Sequence, residues 1–234
     1  MKLEICANSY QSAVNAQKSG ADRVELCTEL SLGGITPSYG LLEKVSKEIT
    51  IPVHVLIRPR SGNFCYTDDE FEIMKQDIKR CKKFGFNGIV SGVLNKDNSI
   101  DIERTKELMD LSKPLSFTFH RAFDCVTNPQ ESLEQLIDLK VDRLLTSGLQ
   151  EKAENGIELL KELQKIAKGK LIILPGSGIN QKNVIFFKEA GFEEIHTSAS
   201  KISSEEKSIF FGNTPQTVSN IETITQILKV IKNA

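Results

Sequence analysis

A five-residue motif recurs along the chain, and each copy opens an apolar run after a helical pattern. The copies lie at residues 20–24, 85–89, 140–144 and 191–195. A helical pattern followed by an apolar run is typical of a βα unit, and the copies stand before every second predicted strand. The motif therefore indicates a series of βα units with an internal period of two.

Eight strand patterns and eight helical patterns fill the chain. The strands are predicted at about residues 3–7, 22–27, 53–58, 88–92, 115–120, 142–147, 171–175 and 194–198, and the helices at about 9–20, 38–49, 68–84, 101–111, 129–140, 155–168, 181–190 and 218–232. Eight βα units with this period predict a TIM (β/α)8 barrel. A doubly wound open sheet is the alternative, but it does not predict the period. With 234 residues there is no room for a second core, so residues 1–234 are interpreted as a single domain.

The composition excludes several classes of protein. A net charge of −1, from 30 basic and 31 acidic residues, gives no electrostatic basis for nucleic-acid binding. No apolar run approaches the length of about 18 residues that a membrane span needs, and the first residues lead straight into a strand rather than a signal peptide. Five cysteines, an odd number, suit reduced thiols better than a disulfide framework. The sequence therefore predicts a cytoplasmic protein.

Two strands share an alternation of apolar residues with Glu and Cys. Glu4 and Cys6 lie on one face of the first strand, and Glu25 and Cys27 lie on the equivalent face of the second. If these side chains point into the barrel, the outward positions are aliphatic, as positions covered by helices should be. The same parity directs four other polar strand residues inward: His54, Arg58, His120 and His196.

The paired cysteines suggest a metal site. Adjacent parallel strands lie about 4.8 Å apart, so thiols of Cys6 and Cys27 at matching height would share one soft metal ion. Soft thiolates favour Cu(I), and a site without an obligatory third ligand suits copper better than tetrahedral zinc. For either cysteine alone, inert packing is the commoner role. Cys65, Cys81 and Cys125 show no such pairing and are interpreted as structural. No organic cofactor is expected.

The two interior carboxylates need an explanation, because a buried carboxylate requires a partner or a raised pKa. In one interpretation, Glu4 and Glu25 belong to a structural ion network with Arg23, Arg58 and the histidines. In the other, they are general acid–base groups or metal ligands. No H-x-H pair lies on the first strand and no lysine lies near the C-terminal end of a strand, which argues against a binuclear hydrolase and against Schiff-base chemistry.

Two strand ends carry residues suited to anions. Arg58 and Arg60 lie at and beyond the end of the third strand, and His120, Arg121 and Asp124 follow the fifth. Guanidinium groups match carboxylate and phosphate geometry. These residues predict an anion site at the mouth of the barrel.

The loops after the last two strands support the same site. Gly176 and Gly178 follow the seventh strand and Ser198 follows the eighth, where TIM barrels usually bind phosphate. A rival to copper binding is therefore an enzyme acting on a small anionic or phosphorylated metabolite. Its catalytic candidates are Glu4, Glu25, His120 and Asp124, and its anion-binding candidates are Arg58, Arg60, Arg121, Gly176, Gly178 and Ser198. A pure interaction scaffold would gain nothing from a polar interior.

Many segments together resemble the CutC copper homeostasis protein family: residues 4–6, 20–27, 33–38, 54–60, 64–66, 118–124 and 145–148. The resemblance covers roughly residues 1–200. It implies a cytoplasmic TIM barrel, a homodimer, a role in copper tolerance, and Cu(I) binding by Cys6 and Cys27. The largely polar segment 200–218, which contains the apolar residues 209–211, lies beyond the resemblance and is interpreted as a mobile lid or an interface.

Overall fold

Eight parallel strands form a nearly closed barrel in this computed structural model, which describes residues 1–204, 207–208, 212–213 and 215–233. The strands pair in the order β7-β6-β5-β4-β3-β2-β1-β8, and β7 lies beside β8. The TIM-barrel prediction is confirmed. The barrel strands are β1 (Lys2–Ala7), β2 (Arg23–Leu26), β3 (Val53–Leu56), β4 (Gly88–Ser91), β5 (Ser116–Phe119), β6 (Arg143–Thr146), β7 (Ile172–Pro175) and β8 (Glu194–Thr197).

Eight helices surround these strands at or near the predicted positions. They are α1 (Tyr10–Ser19), α2 (Tyr39–Glu48), α3 (Asp68–Phe84), α4 (Ile102–Ser112), α5 (Pro129–Leu139), α6 (Ile157–Ala167), α7 (Val184–Glu189) and α8 (Ile221–Asn233). Helix α7 starts later than predicted because Asn180 and Asn183 form a turn, in which the Asn183 side chain accepts the Asn180 N–H at 2.8 Å. No described helix is long and apolar enough to span a bilayer.

The recurring motif has a structural role in the barrel. Each copy begins at a left-handed residue that ends the preceding helix, for example Gly20 at φ 81° and Lys140 at φ 64°. In three copies, the third residue then accepts the main-chain N–H at the start of a neighbouring strand. These acceptors are Asp22, Asn87 and Asp142, which bind the N–H of Leu3, Val53 and Phe117 at 2.8, 2.9 and 2.7 Å. The motif thus ends a helix and aligns two adjacent strands.

The core divides into two parts, as the alternation predicts. Leu3, Val24 and Phe119 are fully buried in the large apolar layer between barrel and helices. Inside the barrel, Cys6 and Cys27 pack with Leu56 and Val90 in a separate small cluster. The thiols therefore lie in the barrel interior and not among the helices.

Four short strands lie among the described residues that follow β8, where the sequence pattern indicated none. Strand β9 (Ser200–Ser204) pairs antiparallel with β12 (Gln216–Ser219), and β10 (Lys207–Ser208) pairs with β11 (Gly212–Asn213). The base of this ribbon is fixed to the barrel, because Asn8 donates to the Thr217 hydroxyl at 2.9 Å. Backbone pairing rather than apolar burial holds these strands, so the polar sequence carried no strand signal. The apolar residues 209–211 lie outside the described residues.

One glycine of β4 leaves room for a histidine in the barrel. A Cβ added to Gly88 would lie 2.4 Å from the His54 ring. We expect Gly88→Ala to lower the free energy of unfolding by about 1–3 kcal/mol, because the buried ring must shift. In the control Gly40→Ala on α2, the new Cβ meets nothing within 4 Å, and the change should be neutral or stabilise by up to about 1 kcal/mol. Urea unfolding measures both. Equal stability of the two variants would contradict this packing.

Candidate functional site

A cavity of about 480 Å³ opens at the C-terminal ends of the strands, where the site was predicted. Seven of the residues selected from the sequence line it: Cys6, Glu25, Arg58, His120, Arg121, Gly178 and Ser198. Its volume suits a small metabolite rather than a bare ion.

The thiols of Cys6 and Cys27 lie at the inner end of this cavity, 3.6 Å apart. Cys6 lines the cavity, whereas Cys27 is fully buried beside it. In the strand register Cys6 pairs with Glu25 and not with Cys27, so the thiols are not at matching height along the ladder. The stagger of neighbouring barrel strands still brings the sulfur atoms into contact.

His196 on β8 joins this cluster. Its Nδ1 lies 2.7 Å from a carboxylate oxygen of Glu4 and 3.8 Å from one of Glu25. Ligand atoms of Cys6, Glu25 and His196 all lie within 4.8 Å of one another. Since Nδ1 faces Glu4, the Nε2 atom is the ring nitrogen left for a metal. Thiolate, imidazole and carboxylate are a donor set that binds soft and borderline metal ions.

Burial and close charges perturb the protonation of the cluster. Burial raises the pKa of Glu25 to about 7, and the Glu4 charge adds to the rise against the opposing effect of His196. Burial alone would lower the pKa of His196, but Glu25, Cys6 and Glu4 raise it well above its ordinary value. The Cys27 hydrogen bond, burial and Glu25 raise the pKa of Cys6. Glu25 is therefore a carboxyl group that exchanges a proton near neutral pH.

Beneath the cavity lies a layer of buried ion pairs. Arg23 pairs with Glu4 and, at 2.5 Å, with Glu194, which also accepts from Arg143 at 2.8 Å. Burial alone would raise the pKa of Glu4, but Arg23 and the His196 hydrogen bond hold it well below its ordinary value. Glu4 is thus an ionised structural partner of Arg23 and does not line the cavity.

Arg58 and His120 follow β3 and β5, and both line the cavity. The Arg58 guanidinium donates to three main-chain oxygens, those of Leu32, Gly34 and Gly62, each at 2.8 Å. The sequence analysis offered Arg58 as a partner for the interior carboxylates, but these carbonyl bonds hold it at the mouth. Burial and the Arg58 charge lower the pKa of His120 to about 3. His120 is therefore neutral at pH 7.

Besides Glu4 and Cys27, three of the selected residues do not line the cavity. Arg60 turns away and pairs with Glu70 at 2.5 Å at the start of α3. Asp124 accepts hydrogen bonds from Thr146 at 2.5 Å and from the Ser147 N–H at 3.0 Å, and so fixes the loop after β6. Gly176 packs under the Leu145 and His196 side chains.

The other three cysteines lie apart from the thiol pair. Cys81 is buried on α3, Cys65 is half-buried and Cys125 is exposed. Burial raises the pKa of Cys81 to about 12. None of the three lines the cavity described above.

Sequence reasoning missed part of the site. It assigned no site role to Phe64 or Thr223, which also line the cavity, and it included Ser177, Ile179 and Ser200 only as parts of the loops after the last two strands. It also left Glu194 and Arg143 out of the ion layer. The sequence did contain a signal for these two residues. Glu194 lies two positions before His196 and Arg143 two positions before Leu145, so the period-two alternation places both side chains inside the barrel. Thr223 had no comparable signal.

Comparison with known proteins gives a consistent result. The sequence model of the CutC family matches residues 1–201. A protein of Pectobacterium atrosepticum named CutC is 47% identical over 203 residues, covering 87% of this chain and 80% of that protein. A CutC protein of Yersinia enterocolitica is 49% identical over 201 residues, covering 86% and 79%. The chain belongs to the CutC family.

A solved structure extends this likeness to the fold. The crystal structure of a Streptococcus agalactiae protein, provisionally named copper homeostasis protein CutC, matches with a TM-score of 0.80 at 33% identity. The match covers 85% of this chain and 98% of that chain. The family match ends at residue 201, near the start of the β9–β12 ribbon. The matched region thus includes all eight barrel strands, whereas most of the ribbon and helix α8 lie beyond it.

From the lowered pKa of His120 we predict how the free energy of unfolding depends on pH. An unfolded histidine binds a proton near pH 6.5, whereas folded His120 does so only near pH 3. The unfolded state therefore binds more protons in this interval, and the free energy of unfolding falls as the pH falls. Between pH 6.5 and pH 4 the His120 contribution is about 3 kcal/mol. Urea unfolding across this range should show a shallower fall in His120→Asn. Identical pH slopes would show that His120 is not held neutral.

Proposed function

We propose that this CutC family member binds one Cu(I) ion through Cys6 and Cys27. The observation that carries the proposal is the 3.6 Å separation of the two sulfur atoms inside the barrel. Metal–thiolate bonds are about 2.3 Å long for zinc, so two sulfurs that share an ion in a bent arrangement lie about 3.7 Å apart. The observed spacing fits such a site with little movement.

The neighbouring donors refine the coordination expected from sequence. A linear two-coordinate ion would require sulfur atoms about 4.6 Å apart at the same bond length. The bent spacing instead leaves room for a third donor, and His196 and Glu25 are within reach. This set is also acceptable to zinc, so the cysteines alone do not select the metal. The soft thiol pair and the family name support copper.

The first test compares Cu(I) binding in the wild type with Cys6→Ser and Cys27→Ser under anaerobic conditions. A serine hydroxyl is a poor soft-metal ligand, so each variant should lose at least about 100-fold in affinity, more than second-shell changes typically cost. Competition against a chromogenic Cu(I) chelator measures the affinity. Cys81→Ser is the matched control, because Cys81 is equally buried but lies on α3. It should keep one-to-one binding.

Two further readouts sharpen the copper test. Because the pKa of Cys6 is raised, binding must displace a thiol proton, and affinity should increase with pH. Zn(II) added in competition should not displace Cu(I). Wild-type affinity in both serine variants, or preferential retention of Zn(II), would contradict the proposal.

A second candidate function is acid–base catalysis on a small anion. It is favoured by Glu25, a cavity-lining carboxyl group whose pKa burial raises to about 7. The expected substrate would be a small phosphorylated or carboxylated metabolite. Turnover followed by NMR with ligands that bind the cavity should be lost in Glu25→Gln, while binding persists. Unchanged turnover in that variant would exclude Glu25 as the proton-transfer group.

The cellular setting follows from the same chemistry. Cu(I) and free thiols persist in a reducing compartment, so we place the protein in the cytoplasm. The homodimer implied by the family resemblance stays a prediction, which light scattering of the purified protein would test.

A further inference from the structure

Arg58 is a buried cation that pairs with no acidic side chain among the described residues. Its side chain is about 5% exposed, and it lines the cavity. Three carbonyl oxygens accept its Nη hydrogens, but its buried Nε has no hydrogen-bond partner. Among the described residues, no carboxylate forms an ion pair with it. Carbonyl groups orient a guanidinium but do not neutralise it, and buried charges are normally paired.

His120 offers a second unused donor on the same wall. Its Nδ1 accepts the Ala122 N–H at 3.3 Å, so the neutral ring carries its proton on Nε2. That buried Nε2 has no partner among the described residues, although the side chain is 95% buried. Phe64 links the two groups: the Arg58 guanidinium lies 4.9 Å from its ring centre, and the His120 ring lies at the same distance.

The loops after β7 and β8 supply main-chain donors to the same cavity. Ser177, Gly178, Ile179 and Ser198 line it, and their N–H groups make no hydrogen bond to the described part of the chain. Ser177 and Gly178 have successive left-handed conformations, with φ of 88° and 72°. Consecutive residues in such turn conformations can gather N–H groups around an anion. The cavity therefore combines main-chain donors with the Arg58–Phe64–His120 wall.

We propose that the cavity binds a small phosphomonoester. The phosphate group lies against the N–H groups of the β7 and β8 loops, and the Arg58–Phe64–His120 wall holds the oxygen atoms of the remainder. The charge of Arg58 supplies the attraction that an anion needs and that a bare cation would oppose. This inference concerns binding alone and requires neither the copper proposal nor a reaction, although it would name the substrate class of the second candidate function.

Titration calorimetry of the reduced, metal-free protein tests the proposal with two probes, inorganic phosphate and glycerol 3-phosphate. Both should bind saturably in the presence of 0.15 M salt at concentrations up to about 10 mM, since buried charges are screened little. Glycerol 3-phosphate should bind more tightly, because it reaches the wall as well as the loops. Glycerol without phosphate should not bind.

Variants locate the site. His120→Phe replaces the imidazole with an aromatic ring that has no nitrogen, and it should weaken glycerol 3-phosphate binding at least about tenfold, with Arg58→Gln losing more. Arg60→Gln is the matched control, because Arg60 lies two residues from Arg58 but pairs with Glu70 outside the cavity. It should bind as the wild type does. His120→Phe keeps the test decisive should Arg58→Gln fail to fold.

Outcomes for the two proposals are separable. A Cys6→Ser, Cys27→Ser double variant should lose Cu(I) but keep both probes, since the thiols do not hold the anion. The phosphomonoester proposal is wrong if neither probe binds the wild type. It is equally wrong if Arg60→Gln weakens binding as much as His120→Phe, which would indicate general surface attraction.

Discussion

The buried pair of Glu4 and Arg23 is the interaction on which the rest of the site depends. Both side chains lie inside the barrel with at most 6% exposure. Glu4 also accepts the Nδ1–H of His196, so one carboxylate binds a guanidinium below and orients an imidazole above. Removing one partner of such a pair typically costs about 3–5 kcal/mol, because the other charge is left buried. The layer of buried ion pairs beneath the cavity therefore determines where the His196 ring lies.

The same layer of ion pairs also gives Glu4 and Glu25 different roles. Glu4 keeps its charge because Arg23 neutralises it, and its negative charge then opposes ionisation of the neighbouring Glu25. Two similar carboxyl groups thus acquire different protonation behaviour from their surroundings alone. The charges of Glu25 and His196 also act on each other, because His196 opposes the rise in the Glu25 pKa and Glu25 raises the pKa of His196. Only Glu25 of the two glutamates reaches the cavity, so it is the carboxyl group that a ligand would meet.

The fold could be predicted from the sequence, and so could the inward or outward direction of each strand side chain, because period-two alternation decides which side chains enter a barrel. The stagger between neighbouring strands could not be predicted from the sequence. Cys6 pairs with Glu25 in the strand register, although the sulfur atom of Cys6 contacts that of Cys27. The sequence also could not distinguish Arg58 from Arg60, since both follow β3 and their directions depend on loop geometry. The β9–β12 ribbon was missed for a related reason, because its strands bury few side chains and lack apolar alternation.

Charge connects the two ligands proposed for this cavity. Glu4 is matched by Arg23, whereas no carboxylate in the described part of the chain pairs with Arg58. A phosphomonoester brings negative charge into the cavity that Arg58 lines. When Cu(I) binds two thiolates, one positive ion replaces two protons, so the inner end of the cavity also gains one negative charge. Both ligands therefore add negative charge to the cavity that holds the positive charge of Arg58. A copper-loaded inner end should consequently reduce the attraction of the mouth for an anion, so the sites are expected to oppose each other when both are filled.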